Sequence, residues 1–361
     1  MKKRISLLKQ KLDSFSADGI LIGSLPNIRY LTGFTGSAGW LIISQKNSLL
    51  GVDFRYVEQA KIETADMDII HLKKDISEWL IDVYSELGIK KLAIESDYLS
   101  FSQYQKLHQV IKKKNSKLQL IPVQNAVESL RILKDREELG KIEKACEIVD
   151  DAVEFIKCQL KAGKTEKQFA WELECFIRSK GSESLPFDII VASGSNAALP
   201  HAKPTDKIIG TGEPIIIDMG ARYRGYCSDI TRTFIIGEED SNFNKIYNIV
   251  LSAQLSGISL IKENMKATNA DDIVRSMISN AGYGEYFGHG LGHGIGLETH
   301  ELPRISMVSD DEIKAGMVFT IEPGIYMPGW GGVRIEDTVT VVNGQVVCMT
   351  KANKNALLNG G

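Results

Sequence analysis

The order helix, helix, loop, hairpin occurs twice in the second half of the chain. Apolar residues at helical spacing predict long helices over 139–160 and 243–261, and hairpins follow at 214–236 and 317–342. Such an internal repeat predicts two halves related by a pseudo-twofold axis, with equivalent hairpins facing each other across one curved antiparallel sheet. A site between the hairpins would draw its residues from both halves.

Each half also contains a second, shorter helix. Thr165 followed by Gln168 forms a capping-box sequence that predicts a helix start, and Gly181 is the expected stop. In the second half we expect Thr268, with Asp271 three residues later, to open the equivalent helix. These elements together predict an α+β domain over residues 138–357.

The first part of the chain has a different pattern. Short apolar strands alternate with amphipathic helices from residue 1 to about 125, which predicts an α/β domain with a mixed sheet and flanking helices. Residues 126–137 form the expected linker between the two domains.

Composition limits the classes of function. The 361 residues carry a net charge of −3 and are 43% hydrophobic, so we expect a globular protein with no general affinity for nucleic acid or membrane. No apolar run reaches the roughly 18 residues of a membrane span, and the basic N-terminus lacks the apolar core of a signal peptide. Five cysteines without a C-x-x-C pair predict reduced thiols and a cytoplasmic location.

Acidic residues interrupt the apolar strands of the first hairpin. A turn centred between Tyr223 and Arg224 would place Asp218 and Asp229 directly opposite, with side chains about 5 Å apart on one face. Two carboxylates at that distance require a proton or a cation between them.

The second hairpin repeats this arrangement, because Glu322 and Glu336 mirror each other about Gly329. Four carboxylates would then line one floor. The alternative is that these acids occupy surface positions or form structural ion pairs with nearby arginines, namely Arg222, Arg232 and Arg334.

Three of the six histidines, His289, His293 and His300, lie in the glycine-rich run 287–301. His293 would add one nitrogen to the acidic floor. An oxygen-rich site with one imidazole suits a pair of divalent cations roughly 3.5–4 Å apart, with manganese, cobalt or iron favoured over a thiolate-type zinc site. The glycines would leave clearance for a peptide across the floor, and the alternative is a flexible surface loop with incidental histidines.

With these residues in order, the segment from about 130 to 357 resembles the pita-bread metallopeptidases, the family of methionine aminopeptidase, aminopeptidase P and prolidase. In the family pattern Asp218 would hold one metal, Asp229 and Glu336 would bridge both metals, and His293 with Glu322 would hold the other. Residues 27–39 and 53–56 resemble the creatinase-type N-terminal domain of aminopeptidase P and prolidase, so the resemblance covers nearly the whole chain.

The resemblance implies a peptidase that hydrolyses the Xaa-Pro bond at the N-terminus of peptides or in dipeptides. It also implies a homodimer and two divalent metal ions, with Mn²⁺ expected first and Co²⁺, Zn²⁺ or Fe²⁺ as alternatives. No residue decides between prolidase and aminopeptidase P. Two further hypotheses are a broader aminopeptidase that releases N-terminal methionine and a metal-free peptide-binding module of the same fold.

Roles for individual side chains complete the hypothesis. His300 is expected to contact the substrate and donate to the oxyanion, and Glu322 to take the proton of the attacking water and pass it to the leaving nitrogen. By family resemblance His201 and His289 would bind the proline side of the peptide. Arg334 would contact the substrate's carboxylate or next carbonyl, or would instead neutralise the acidic floor.

Overall fold

A computed structural model describes residues 2–64, 67–73, 75–238 and 241–358. The chain divides into two compact units, Met1–Arg131 and Ile132–Gly361. A short helix, Glu128–Arg131, and the start of the helix Arg136–Gln159 fall within the segment predicted as a linker. The domain limits at 125 and 138 stay predictions. In the described part of the chain, no helix is both long enough and apolar enough to cross a membrane.

The first unit is a six-stranded mixed sheet with helices. Its strands are β1 (Gly19–Ile22), β2 (Trp40–Ser44), β3 (Ser48–Val52), β4 (Asp68–His71), β5 (Lys91–Glu95) and β6 (Gln119–Val123). Its helices are α1 (Lys2–Lys11), α2 (Leu25–Thr32), α3 (Val57–Glu63), α4 (Ile76–Val83), α5 (Phe101–Lys113) and α6 (Glu128–Arg131). The strand order is β4-β3-β2-β1-β5-β6, which confirms the predicted mixed sheet with flanking helices.

Three elements of this unit, α2, β6 and the short α6, were not predicted from the sequence. Helix α2 begins with Pro26 in its first turn and ends at Gly33, whose φ is 84°. Strand β6 contains Pro122, which is compatible with its place at the edge of the sheet. Because proline usually interrupts regular structure, Pro26 and Pro122 made these two elements hard to predict.

The second unit contains the repeated pattern. Its helices are α7 (Arg136–Gln159), α8 (Glu166–Ser179), α9 (Ser241–Leu260) and α10 (Ala267–Asn280). The first half contributes strands β7 (Ile190–Ser193), β8 (Ile215–Met219), β9 (Arg222–Tyr223), β10 (Tyr226–Cys227) and β11 (Ile230–Ile236). The second half contributes β12 (Gly292–Gly294), β13 (Glu301–Ile305), β14 (Val318–Ile321), β15 (Gly324–Met327), β16 (Gly331–Arg334), β17 (Asp337–Val342), β18 (Gln345–Cys348) and, after it, β19 (Leu357–Leu358).

The helix starts follow the sequence signals in one half only. Thr165 and Gln168 form the predicted capping box at the start of α8. The prediction for Thr268 is wrong, because α10 already begins at Ala267 after Lys266. The carboxylate of Asp271 does not cap the helix; it accepts hydrogen bonds from the Arg275 side chain and the Leu291 N–H instead.

The two halves meet along β11 and the segment 334–338. The Glu336 N–H donates to the Thr231 carbonyl at 3.1 Å, and the Arg334 N–H donates to the Thr233 hydroxyl oxygen at 3.0 Å. Apolar side chains of each half form a separate buried cluster behind its own hairpin. The junction therefore brings the acidic residues of both hairpins together.

The two hairpins differ in how well their registers agree with the prediction. In the second hairpin Ile321 pairs with Asp337 and Gly324 with Arg334, which brackets Glu322 opposite Glu336 as predicted. The predicted register of the first hairpin is wrong by two residues.

In the first hairpin Asp218 pairs with Thr231, and the pair Met219 with Ile230 leaves Asp229 across from Gly220. Because side chains alternate with period two, a shift of two residues keeps Asp218 and Asp229 on one face. They are diagonal neighbours and not directly opposite.

The glycine run is not a loose loop. Residues Gly292–Gly294 form β12, which pairs with β13 and β14. A Cβ atom at Gly292 would overlap the Thr320 carbonyl, and one at Gly294 would overlap the Leu302 carbonyl, whereas Gly288 has open space. The predicted clearance for a substrate is therefore wrong for Gly292 and Gly294, where the glycines allow close packing of the chain's own strands.

Candidate metal centre

One cavity of about 400 Å³ in the second unit is lined by all nine residues singled out in the sequence. Five are the predicted metal ligands Asp218, Asp229, His293, Glu322 and Glu336. Four are the predicted substrate residues His201, His289, His300 and Arg334. Phe187, Asp188 and Lys203 also line it and were not predicted.

The centre of the cavity has the geometry of a metal-binding cluster. One ligand atom each from Asp229, His293 and Glu336 lies within 4.8 Å of the others. The Nε2 atom of His293 is 3.7 Å from an Asp229 oxygen and 3.5 Å from a Glu322 oxygen. Asp229 directly precedes β11, His293 lies in β12, Glu322 follows β14 and Glu336 precedes β17, so strands of both halves bring these residues together.

The buried acids of the cluster lie in surroundings that favour a bound cation. Burial, with the nearby Glu336 and Asp218 carboxylates, raises the pKa of Asp229 well above its usual range. Burial raises the pKa of Glu336 in the same way and that of Glu322 to about 8. So many buried acids repel one another unless a positive charge lies between them.

Two buried carboxylate oxygens support the same conclusion. Among the described residues, Oδ1 of Asp218 and Oδ1 of Asp229 are buried and have no hydrogen-bond partner. An unsatisfied buried oxygen is costly, but it is also what a divalent cation needs as a ligand. The residues present therefore fit a divalent metal site of oxygen ligands and one imidazole.

Hydrogen bonds orient the candidate ligands. The Thr231 hydroxyl donates to Oε2 of Glu336 at 2.7 Å. Nδ1 of His293 lies 3.1 Å from the Gly294 carbonyl, so Nδ1 carries the proton and Nε2 is free to bind a metal. Thr320 links two ligands, since its hydroxyl accepts from the His293 N–H and donates to Glu322.

Arg334 lies beneath the acids and is only 3% exposed. Its Nη2 forms an ion pair with Asp218 at 2.7 Å, its Nη1 donates to the Tyr326 hydroxyl and the Pro200 carbonyl, and its Nε donates to Thr231. These contacts match the hypothesis that Arg334 neutralises the acidic floor. Direct contact with a substrate stays a prediction.

The other two arginines form no ion pair with the predicted metal ligands among the described residues. Arg232 forms its ion pair with Asp337 at 2.8 Å, and Arg222 donates to the carbonyls of Gly225 and Leu297. Of the structural ion pairs considered from the sequence, only the one between Asp218 and Arg334 is present among the described residues.

Tyr326 supports the site from behind the cavity lining and was missed by the sequence reasoning. Its hydroxyl accepts from Arg334 and lies 2.9 Å from Nε2 of His289, whose Nδ1 lies 2.8 Å from the Gly290 carbonyl. Nδ1 of His289 therefore donates and Nε2 accepts from Tyr326. Burial lowers the pKa of His289 to about 4, which keeps the ring neutral. Glu322 lies outside the strand that contains Tyr326, so no strand spacing in the sequence indicated this residue.

The remaining two histidines are exposed residues that line the cavity. The ring centroid of His300 is 4.4 Å from that of His293. His201 is exposed on the loop that follows β7. The geometry allows both to meet a substrate beside the acidic cluster, and their roles stay predictions.

Comparison with known proteins decides the family. A model of metallopeptidase family M24 matches residues 140–343, and a model of the creatinase/prolidase N-terminal domain matches residues 4–133. The chain belongs to metallopeptidase family M24. The predicted resemblance, the two-part pita-bread fold and the assignment as a metallopeptidase are thereby confirmed.

Relatives of this M24 metallopeptidase match it over nearly its whole length. The structure of an Xaa-Pro dipeptidase from Bacillus anthracis is 42% identical, with 99% of each chain covered and a TM-score of 0.95. An Xaa-Pro dipeptidase from Pyrococcus horikoshii is 38% identical, with 99% of each chain covered. The structure of an X-Pro aminopeptidase from Thermotoga maritima is 37% identical, covering 97% of this chain and 99% of that one, with a TM-score of 0.88.

Membership of family M24 also bears on the other hypotheses. The family name implies a divalent metal, in agreement with the cluster of Asp229, His293 and Glu336. The names of these relatives favour neither methionine release nor a metal-free binding module.

Proposed function

We propose that this M24 metallopeptidase hydrolyses the peptide bond before a proline in second position, with Xaa-Pro dipeptides as its main substrates. The observation that carries the proposal is the cavity in which buried acids and His293 converge beside three further histidines. Two similar proteins named Xaa-Pro dipeptidase support the choice of dipeptides. The relative named X-Pro aminopeptidase makes longer peptides the second candidate.

The proposed site holds two divalent cations, with Mn²⁺ as the first expectation. Asp218 would bind one cation, His293 and Glu322 the other, and Asp229 and Glu336 both. The unpartnered oxygens of Asp218 and Asp229 support this assignment. When bound, such cations polarise a carbonyl and lower the pKa of water.

The side chains of the chain itself then perform the remaining tasks. Glu322 takes a proton from water on its carboxylate and delivers it to the leaving proline nitrogen. His300 donates from its ring to the carbonyl oxygen as negative charge develops there. His201 contacts the proline side of the substrate, and the neutral ring of His289, held by Tyr326, forms part of the same wall.

Two properties outside the cavity belong to the same proposal. A homodimer is expected from the family resemblance, and light scattering of the purified protein would measure it directly. A cytoplasmic location is supported by five cysteines that are all free thiols.

The proposal is tested by hydrolysis of four peptides after chelation and after addition of Mn²⁺. We expect cleavage of Ala-Pro, slower cleavage of Ala-Pro-Gly before proline, and no cleavage of Ala-Ala or of Met-Ala-Gly. All cleavage should disappear on chelation. Release of methionine from Met-Ala-Gly at a rate equal to that for Ala-Pro would overturn the substrate assignment, and full activity after chelation would overturn the metal assignment.

A further inference from the structure

The loop between β7 and β8 is closed by a single buried carboxylate, that of Glu166. Glu166 is the first residue of α8 and is 0% exposed. Its Oε1 accepts from the N–H and hydroxyl of Ser193, at 2.7 and 2.9 Å. Its Oε2 accepts from the N–H and hydroxyl of Thr205, at 2.9 and 2.7 Å. The Asn196 amide donates to both oxygens, at 3.2 and 3.1 Å.

The residues enclosed by this carboxylate form one wall of the cavity. Pro200, His201, Ala202 and Lys203 are consecutive lining residues, and all lie between Asn196 and Thr205. The Pro200 carbonyl also accepts from Nη1 of Arg334 at 3.2 Å, so the loop is tied to the acidic floor. The side chain of His201 is itself exposed. Its position therefore depends on how the ends of the loop are fixed.

We propose that Glu166 is a positioning residue, which sets the loop so that His201 meets the proline side of the substrate. The inference rests on the proposed function for the role of His201 and on the hydrogen bonds for the role of Glu166. Glu166 lies outside the lining of the cavity, so it acts through the loop and does not touch the substrate.

A carboxylate suits this position better than any other side chain. Two of its donors are backbone N–H groups, of Ser193 and Thr205, which cannot rotate away. A glutamine would place an NH₂ group against one of them, because it has only one acceptor oxygen. Backbone bonds reinforce the anchor, since the N–H groups of Glu166 and Lys167 donate to the carbonyls of Lys207 and Thr205.

Hydrogen–deuterium exchange of the full-length protein tests the anchor without any substrate. We expect the amides of residues 197–204 to exchange at least about tenfold faster in Glu166→Gln and in Thr205→Val, with the rest of the second unit unchanged. Thr205→Val removes the hydroxyl that donates to Glu166 and accepts from the Asn196 amide and the Lys207 N–H. Because Thr205 is an exposed residue, this variant keeps the test valid if Glu166→Gln does not fold. The matched control is Glu172→Gln on the same helix, which should leave the loop unchanged. Unchanged exchange of the loop in a folded Glu166→Gln, or in Thr205→Val if Glu166→Gln does not fold, would overturn the proposal.

A double-mutant cycle tests the consequence for the substrate. We expect Thr205→Val to raise KM for Ala-Pro about tenfold with a smaller change in kcat, and Thr205→Ser to restore it. In the His201→Ala background the same substitution should change KM less than twofold, since the residue that it positions is gone. Equal effects in both backgrounds would overturn the positioning role. If the wild type cleaves no Xaa-Pro peptide, the proposed function fails, while the exchange of residues 197–204 still decides whether Glu166 anchors the loop.

Discussion

The two hairpins of the second unit differ in how well their turns can be located from the sequence. In the second hairpin Gly329, with φ of 83°, lies at the centre of the turn, and the predicted mirror about it is right. In the first hairpin Arg224 and Gly225 both have positive φ, which is the two-residue turn of type I′. The true centre is one residue further along than predicted. A glycine as second turn residue was the better signal.

The hairpins also differ in how their acids are held, and each depends on the other. Asp218 of the first hairpin is paired with Arg334 of the second. Glu336 of the second hairpin accepts from Thr231 of the first. Asp218 is held by a charged guanidinium, whereas Glu336 is held by a neutral hydroxyl. We therefore expect the loss of Arg334 to have a larger effect than the loss of the Thr231 hydroxyl.

Substitution of a proposed metal ligand should have the largest effect on hydrolysis. Glu336→Gln should lower Mn²⁺-dependent hydrolysis of Ala-Pro roughly a thousandfold, because a carboxylate proposed to bind both cations is lost. Steady-state kinetics at saturating Mn²⁺ measure it, with exposed Glu312→Gln as the control. A loss no larger than that of Arg334→Met would contradict the bridging role.

Removal of the ion pair should have the next largest effect. Arg334→Met leaves Asp218 buried without its partner, so the free energy of unfolding in chelator should fall by about 3 kcal/mol. Added Mn²⁺ should reduce this loss, because a cation replaces the missing positive charge. Chemical denaturation measures both values, with exposed Arg304→Met as the control. The same loss with and without Mn²⁺ would mean that no cation lies beside Asp218.

Loss of the hydrogen bond from Thr231 to Glu336 should have a smaller effect than loss of the ion pair. Thr231→Val removes the donor to Glu336 and also the acceptor of Nε of Arg334. It should weaken Mn²⁺ binding by about ten- to a hundredfold, as for other side chains that orient metal ligands. Calorimetric titration measures the affinity. Thr340→Val is the matched control, since its hydroxyl donates to the Met317 carbonyl and Thr340 does not line the cavity. Equal Mn²⁺ affinities of Thr231→Val and the control would show that the Thr231 hydroxyl does not orient Glu336 for metal binding.

The smallest effects are expected at the turns. Gly225→Ala and Gly329→Ala should each destabilise the protein by about 1 kcal/mol, because alanine is strained at φ of 84° and 83°. Thermal unfolding compares them with Gly288→Ala, where a Cβ meets open space. If Gly225→Ala were neutral, the type I′ turn would not fix the register of the first hairpin.

The residues that meet in the cavity could be singled out from the sequence because each proposed ligand is a polar residue in an apolar strand or beside glycines. That pattern is local, as for Asp218 within three isoleucines and a methionine. The predicted register of the first hairpin was wrong by two residues. The prediction that both aspartates share one face was still right, because side chains alternate with period two along a strand.

The supporting contacts could not be predicted, because they join residues far apart in the chain. The bond from Arg334 to Asp218 spans 116 positions, and that from Thr231 to Glu336 spans 105. The hydroxyl of Tyr326 and the carboxylate of Glu166 likewise gain their roles only when distant elements pack together. For the same reason, the sequence showed the glycines of β12 but not the strand carbonyls beside them.

The most direct test of the account is a calorimetric titration of the chelated protein with Mn²⁺, with Ala-Pro hydrolysis measured at each point. The account predicts two ions bound per chain in the wild type, a parallel rise in hydrolysis, and loss of both in Glu336→Gln. A wild type that binds no Mn²⁺, or that cleaves Ala-Pro at full rate before any is added, would contradict the claim that the two hairpins form a metal centre.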